Sequence, residues 1–121
     1  MILNSYKDLI VWKKAMDLVV EVYLLIENFP KEEIFGLVSQ IKRASVSIPS
    51  NIAEGRSRGT RKEYRHFLSI AYGSGAELET QIEIAKRLVK TKNLNYNKVD
   101  QLLIEVMKML NSLIGKLKPI S

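Results

Sequence analysis

Six apolar residues near the C-terminus, Val99, Leu103, Val106, Leu110, Leu113 and Leu117, step by 4, 3, 4, 3 and 4. A heptad seam of this kind needs a helix, and it needs other helices packed at about 20° to bury it. Three further stretches keep a helical period. The first runs through Leu9, Trp12, Met16, Val19, Tyr23 and Ile26, and the second through Ile34, Leu37, Val38, Ile41, Ala44, Ile48 and Ile52. The third runs through Phe67, Ile70, Ala71, Ser74, Leu78, Ile82, Ala85 and Leu88. No segment alternates with period two, so the chain is expected to be all-α.

The breaks between these stretches are short. Successive helices should therefore run antiparallel, as an up-and-down four-helix bundle in one domain over residues 1–121. Ser5, with Asp8 three positions on, resembles a capping box and sets the first start. Asn28-Phe29-Pro30 ends that helix, and Pro30 opens the second, with Glu32 and Glu33 in its first turn. Pro49 falls inside the second pattern, where it removes one hydrogen bond and crowds the Ser45 carbonyl. The apolar spacing stays in phase across it, which predicts a kink rather than a stop. Gly55 is expected to close the helix as a left-handed cap. Thr60-x-x-Glu63 is a capping box for the third helix. Gly73 and Gly75 lie within that helix and cost it roughly 1 kcal/mol each relative to alanine. Close approach of a neighbouring backbone would compensate. Asn93-Leu94-Asn95 precedes the fourth helix, and Pro119 stops it.

A hydrophobic share of 46% can fill a bundle core. The absence of cysteine excludes disulfides, thiolate metal sites and cysteine nucleophiles, and suits the cytoplasm, where the protein is expected to reside. The most apolar run, Leu18 to Ile26, is interrupted by Glu21 and falls short of the roughly 20 residues a membrane span needs. No signal peptide is expected at the N-terminus.

The formal net charge of +6 is unevenly placed. Residues 40–66 carry seven basic and two acidic groups, and residues 86–121 carry eight and two. Residues 67–85 carry only Glu77, Glu79 and Glu83. In an up-and-down bundle, Lys7, Arg56, Arg58, Arg61, Lys62, Arg65, Lys116 and Lys118 gather at one end. Clustered basic charge is the usual footprint of a polyanionic partner. Arg56, Arg58, Arg61, Lys62 and Arg65 are the candidate phosphate contacts, because guanidinium forks match phosphate oxygens. Tyr64 among them is a candidate stacking ring, although such a tyrosine more often caps a core. Lysines near helix C-termini, by contrast, commonly just complement the dipole. No base-reading motif is present, so binding to RNA or DNA should follow charge and shape.

Catalytic chemistry has little to work with. Glu63-x-x-His66 is half of a bundle di-iron motif, but His66 is the only histidine. Glu77 and Glu79 point to different faces, and either is a candidate to pair with Lys42 or Arg43. There is no P-loop, dinucleotide fingerprint or nucleophile elbow. No enzyme activity, cofactor or metal is expected. The first helix is apolar almost all round from Leu18 to Ile26, more than one core stripe needs. With Val19, Tyr23 and Ile26 in the core, Leu18, Val20, Val22, Leu24 and Leu25 are left over as a partner-binding surface or the second stripe of a wide core.

The motif Leu37-x-x-Gln40-Ile41-x-Arg43-Ala44-x-x-Ser47-Ile48-Pro49-Ser50-Asn51-Ile52-Ala53-Glu54-Gly55 carries a family resemblance. So do Tyr6-Lys7-Asp8-Leu9 with Trp12, Phe67-Leu68 with Gly73-Ser74, and Glu77-Leu78-Glu79-Thr80. Together these resemble the four-helix-bundle family encoded in intervening sequences of bacterial 23S ribosomal RNA genes. That family is similar in fold to the accessory variability determinant proteins of diversity-generating retroelements, which are basic homopentamers that bind nucleic acid and a reverse transcriptase. The resemblance implies a homopentamer; with the clustered charge it points to contact with RNA or DNA, and the wide apolar first helix offers the alternative of a scaffold that docks a nucleic-acid-processing protein. It carries over no catalytic residue. Within the motif, Asn51 is expected to satisfy backbone groups freed by Pro49, with Arg43 and Glu54 paired in or between subunits.

Overall fold

The computed structural model describes residues 5–119, in which four α-helices account for most of the chain and no strand occurs. They are α1 (Ile10–Ile26), α2 (Ser39–Ser57), α3 (Arg61–Arg87) and α4 (Asn97–Lys116). Met1 to Asn4, and with them the expectation about a signal peptide, lie outside the described residues, as does the side chain of Ile34. Each helix packs mainly on its two neighbours, α1 on α2 and α4, and α3 on α2 and α4. This is the expected up-and-down square.

The α4 seam is where the spacing placed it. Val99, Leu103, Val106 and Leu110 are buried, and Leu113 and Leu117 pack half-buried against the same core. On α1 the face is turned by one residue. Val11, Ala15, Leu18, Val22 and Leu25 fill the core with Ile26, whereas Met16, Val20, Tyr23 and Leu24 are exposed. The cause lies upstream. Ser5 caps a separate 3-10 turn, Tyr6–Asp8, its hydroxyl accepting from the Lys7 amide at 3.0 Å. Leu9 then takes an extended conformation (ψ 128°), and the helix restarts at Ile10. Because residues 18–26 are apolar on every side, hydrophobicity alone does not select the phase.

The second helix also begins later than its pattern. A 3-10 turn at Lys31–Glu33 leads into a wide turn, Ile34–Val38, where Gly36 leaves helical geometry (φ −106°, ψ −107°). Regular helix starts at Ser39 and continues through Pro49 to Ser57. Gly55 is therefore not a cap. It is buried inside α2 where α3 comes closest, and a Cβ there would sit 2.6 Å from the Phe67 Cβ and 3.2 Å from the Tyr64 carbonyl. The left-handed residue is Gly59 (φ 86°), in the turn to α3. Gly75 is likewise filled by a neighbour, the Met107 side chain of α4 rather than a backbone, while Gly73 faces open space.

Thr60 caps α3 as expected, accepting from the Glu63 amide at 3.2 Å. Ile70 and Leu88 turn outward, and Leu68 and Gln81 take up core positions. At the far end Thr91 and Tyr96 tie down the α3–α4 connection. The Thr91 hydroxyl donates to the Ala85 carbonyl at 2.6 Å, and the Tyr96 hydroxyl to the Thr91 carbonyl at 2.8 Å.

Candidate functional site

The start of α3 and the end of α4 meet at one end of the bundle, and the five candidate cations lie there in different circumstances. Arg61 reaches across to α4, its Nη2 donating to the Lys116 carbonyl at 2.7 Å and the Lys118 carbonyl at 3.4 Å. Arg65 does the same one turn on, with Nε donating to the Ile114 carbonyl at 3.1 Å. The last carbonyls of a helix lack partners within it and sit at its negative end. Both arginines thus cap α4 from outside, a structural duty the charge pattern did not reveal. Arg58 is held by Glu54 at 2.9 Å, lies 4.0 Å from Glu63, and stacks over the Phe67 ring at 5.0 Å. Arg56 is half-buried beside Tyr64. Lys62 is exposed.

Each arginine has more N–H donors than these bonds use. Of the five candidate cations, Arg61, Lys62 and Arg65 line a groove of about 560 Å³ together with His66 and Ser69 of α3 and Leu117 and Pro119 opposite, whereas Arg56 and Arg58 do not line it. Lys62, Arg65, His66 and Ser69 follow i, i+3, i+4, i+7 spacing, which places them on one helical face over about 10 Å. Among the described residues no carboxylate lines the groove. The arrangement suits a phosphate-bearing chain lying along it. His66 is exposed, its ring edge-on to Phe67 at 5.4 Å. The groove was only half legible in the sequence: His66 and Ser69 gain meaning from their spacing to Lys62 and Arg65.

Tyr64 is not displayed as a stacking ring. It packs against the core with its hydroxyl buried and unpartnered among the described residues. Burial pushes its pKa above the ordinary tyrosine value, with Arg56 pulling partly the other way.

The motif around Pro49 also differs from expectation. The Asn51 amide donates to the Ser47 carbonyl at 2.8 Å and to the Ser47 hydroxyl at 2.9 Å, not to the carbonyl of Ser45 that Pro49 leaves free. Ser47 in turn shares a 2.8 Å hydrogen bond with Ser74, so Asn51 braces the contact between α2 and α3. Glu54 pairs with Arg58 rather than Arg43. Eleven residues of helix, about 16 Å, separate Arg43 from Glu54 within one chain. Glu77 and Glu79 are both exposed, and among the described residues neither pairs with Lys42 or Arg43. Farther along α3, Glu83 and Asp100 of α4 hold Lys86, at 3.2 and 2.7 Å. Among the described residues no three His, Asp or Glu side chains cluster as a metal site would require, and no helix is long and apolar enough to cross a membrane.

Residues 7–112 match the family described as 23S rRNA-intervening sequence protein. No curated protein matches the chain significantly. Among solved structures, the chain is similar to a protein of unknown function from the S23 ribosomal protein family of Bacteroides thetaiotaomicron. The two are 25% identical with a TM-score of 0.71, over 87% of this chain and 98% of that one. The chain belongs to the 23S rRNA-intervening sequence protein family.

Proposed function

We propose that this family member is a non-enzymatic, self-associating cytoplasmic module that binds RNA or DNA through phosphate contacts in the groove between the start of α3 and the end of α4. One observation supports the reading: Lys62, Arg65 and His66 line the same groove, with Arg61 and Ser69 beside them and no acidic side chain among its described residues. The net charge of +6 supports it. Binding would follow counterion release and be nearly indifferent to sequence, because the groove offers charge rather than base-edge recognition. Self-association, with a homopentamer as the resemblance implies, would repeat the groove around the assembly and raise its avidity. The apolar row Met16, Val20, Tyr23 and Leu24 on α1 supports association.

The test is filter binding of a short RNA and a short DNA duplex across a salt series. The expected result is affinity that falls linearly in log–log form, with a slope of roughly −2 to −3 for about three phosphate contacts. Weak binding at low salt that ignores salt would end the reading.

A second reading has its own support. Arg58, Arg61 and Arg65 all spend donors within the chain, which leaves less cation for a polyanion than the sequence promises. On that reading the basic end docks an acidic surface of a nucleic-acid-processing protein. Capture of such a partner at physiological salt, by a chain that ignores RNA and DNA, would favour it.

A further inference from the structure

At the end opposite the groove, the fold leaves one large aromatic side chain bare. Phe35, on the α1–α2 connection, is 97% exposed. It sits in the wide turn just after Lys31, Glu32 and Glu33. At the same end, a cavity of about 260 Å³ opens where α1 finishes and α4 begins. Leu24, Leu25, Leu94 and Val99 line it together with Asn28, Asn95 and Asn97, and Glu21 and Lys98 line it as well. An aliphatic cavity of about 150 Å³ in another protein holds benzene, so this one has room for a phenyl ring.

We infer that Phe35 of one copy seats in this cavity of a second copy, joining copies head to tail. The inference rests on the self-association proposed above and names its contact. Phe35 does not fill the cavity of its own chain, since nearly all of its surface is open. The signs agree across the contact: Lys31 and Glu33 flank the knob, while Glu21 and Lys98 offer each its opposite. The seat also does not stop at the cavity. Leu24 is half exposed and continues along α1 into Val20, Tyr23 and Met16, so docking would cover the apolar row that the fold leaves in water.

Knob and seat differ within one chain, so the contact is heterologous. Both lie at the same end of the bundle, as the Lys90–Glu32 pair at 3.1 Å between the two connections marks. A repeated contact of this kind gives a ring where its rotation closes and a filament where it does not.

The chain has no cysteine, so introduced thiols report contacts without background. Glu33→Cys beside the knob and Asn95→Cys at the cavity, mixed and mildly oxidised, should give a mixed disulfide dimer. Either variant alone should give much less. Phe35→Ala should raise the concentration needed for assembly by roughly 30-fold, the scale of an interface hot spot. Its circular dichroism should stay unchanged, because the ring touches no core. An assembly that survives Phe35→Ala and forms no mixed disulfide overturns the knob-and-cavity contact but leaves self-association standing. A wild-type chain that stays monomeric at every concentration overturns both.

Discussion

The two ends of this bundle are held by opposite means. At the groove end, long charged side chains reach from α3 to the last carbonyls of α4, and they remain partly in water. At the connection end, a short buried relay of hydroxyls does the fastening, from Tyr96 to Thr91 to Ala85, while apolar Phe35 and Val89 stand in solvent. Charge in the sequence therefore overstates charge available to a partner. Apolar content likewise overstates what the core consumes. Each end carries a surplus of the kind that the other end hides.

The largest expected effect sets one packing site against another. Gly55→Val places a branched side chain where even a Cβ would meet Phe67, and should cost about 3 kcal/mol in urea unfolding, the upper range of overpacking. Gly73→Ala, facing open space on the next helix, should instead stabilise by about 1 kcal/mol through helix propensity. If both variants destabilise alike, α2 and α3 do not approach as described.

Tyr96→Phe addresses the connection end. It leaves the buried Thr91 carbonyl without its side-chain donor and should cost about 1–2 kcal/mol, with hydrogen exchange rising first at residues 88–96. A global change with no local opening would mean that the relay does not hold this end separately.

Arg61→Ala and Lys62→Ala dissect the groove end. Arg61→Ala should lower stability by about 1 kcal/mol, because α4 loses an outside cap that is itself exposed. Lys62→Ala should leave stability within about 0.5 kcal/mol and reduce the salt slope of nucleic-acid binding by about one unit. The reverse pattern would transfer the structural role to Lys62 and the binding role to Arg61.

Much of this architecture is written in the sequence, and the departures have local causes. The α4 heptad, the Thr60 cap and passage through Pro49 follow from rules that act within a few residues. The α1 phase depends on a break at Leu9 that apolar spacing does not encode, since nearly every residue from 18 to 26 is apolar. Gly55 has the spacing of a cap, but its need is set by Phe67 on another helix. The candidate site shows the same divide. Five cations in ten residues are visible in the string, yet the α4 carbonyls that engage Arg61 and Arg65 lie about 50 residues away and become neighbours only on folding. Thr91 gives no period signal at all, and its burial comes from a turn.

The smallest expected effect is alkaline, and it again separates the ends. The hydrogen bond that Lys86 donates to Asp100 holds its ammonium above the ordinary lysine range, opposed by burial and reinforced by Glu83. Burial raises the Tyr96 pKa, partly offset by the Thr91 side chain and by Lys86. A folded pKa above the unfolded one gives stability that is complete below the unfolded value and is lost as pH rises through the folded value. Both groups sit at the connection end, so that end should weaken above about pH 10, the ordinary range of both groups. Lys86→Met should lower stability at pH 8 by less than about 1 kcal/mol, since the pair is solvent-screened, and should flatten the fall between pH 10 and 11. Tyr64 also has a raised pKa, at the groove end, so Tyr64→Phe is the matching control. Urea midpoints measured every half unit for the wild type and both variants would separate them. A flattened fall in Lys86→Met, with Tyr64→Phe exchanging normally at residues 88–96, places the alkaline weakness at the connection. Flattening in Tyr64→Phe alone would move it to the groove end.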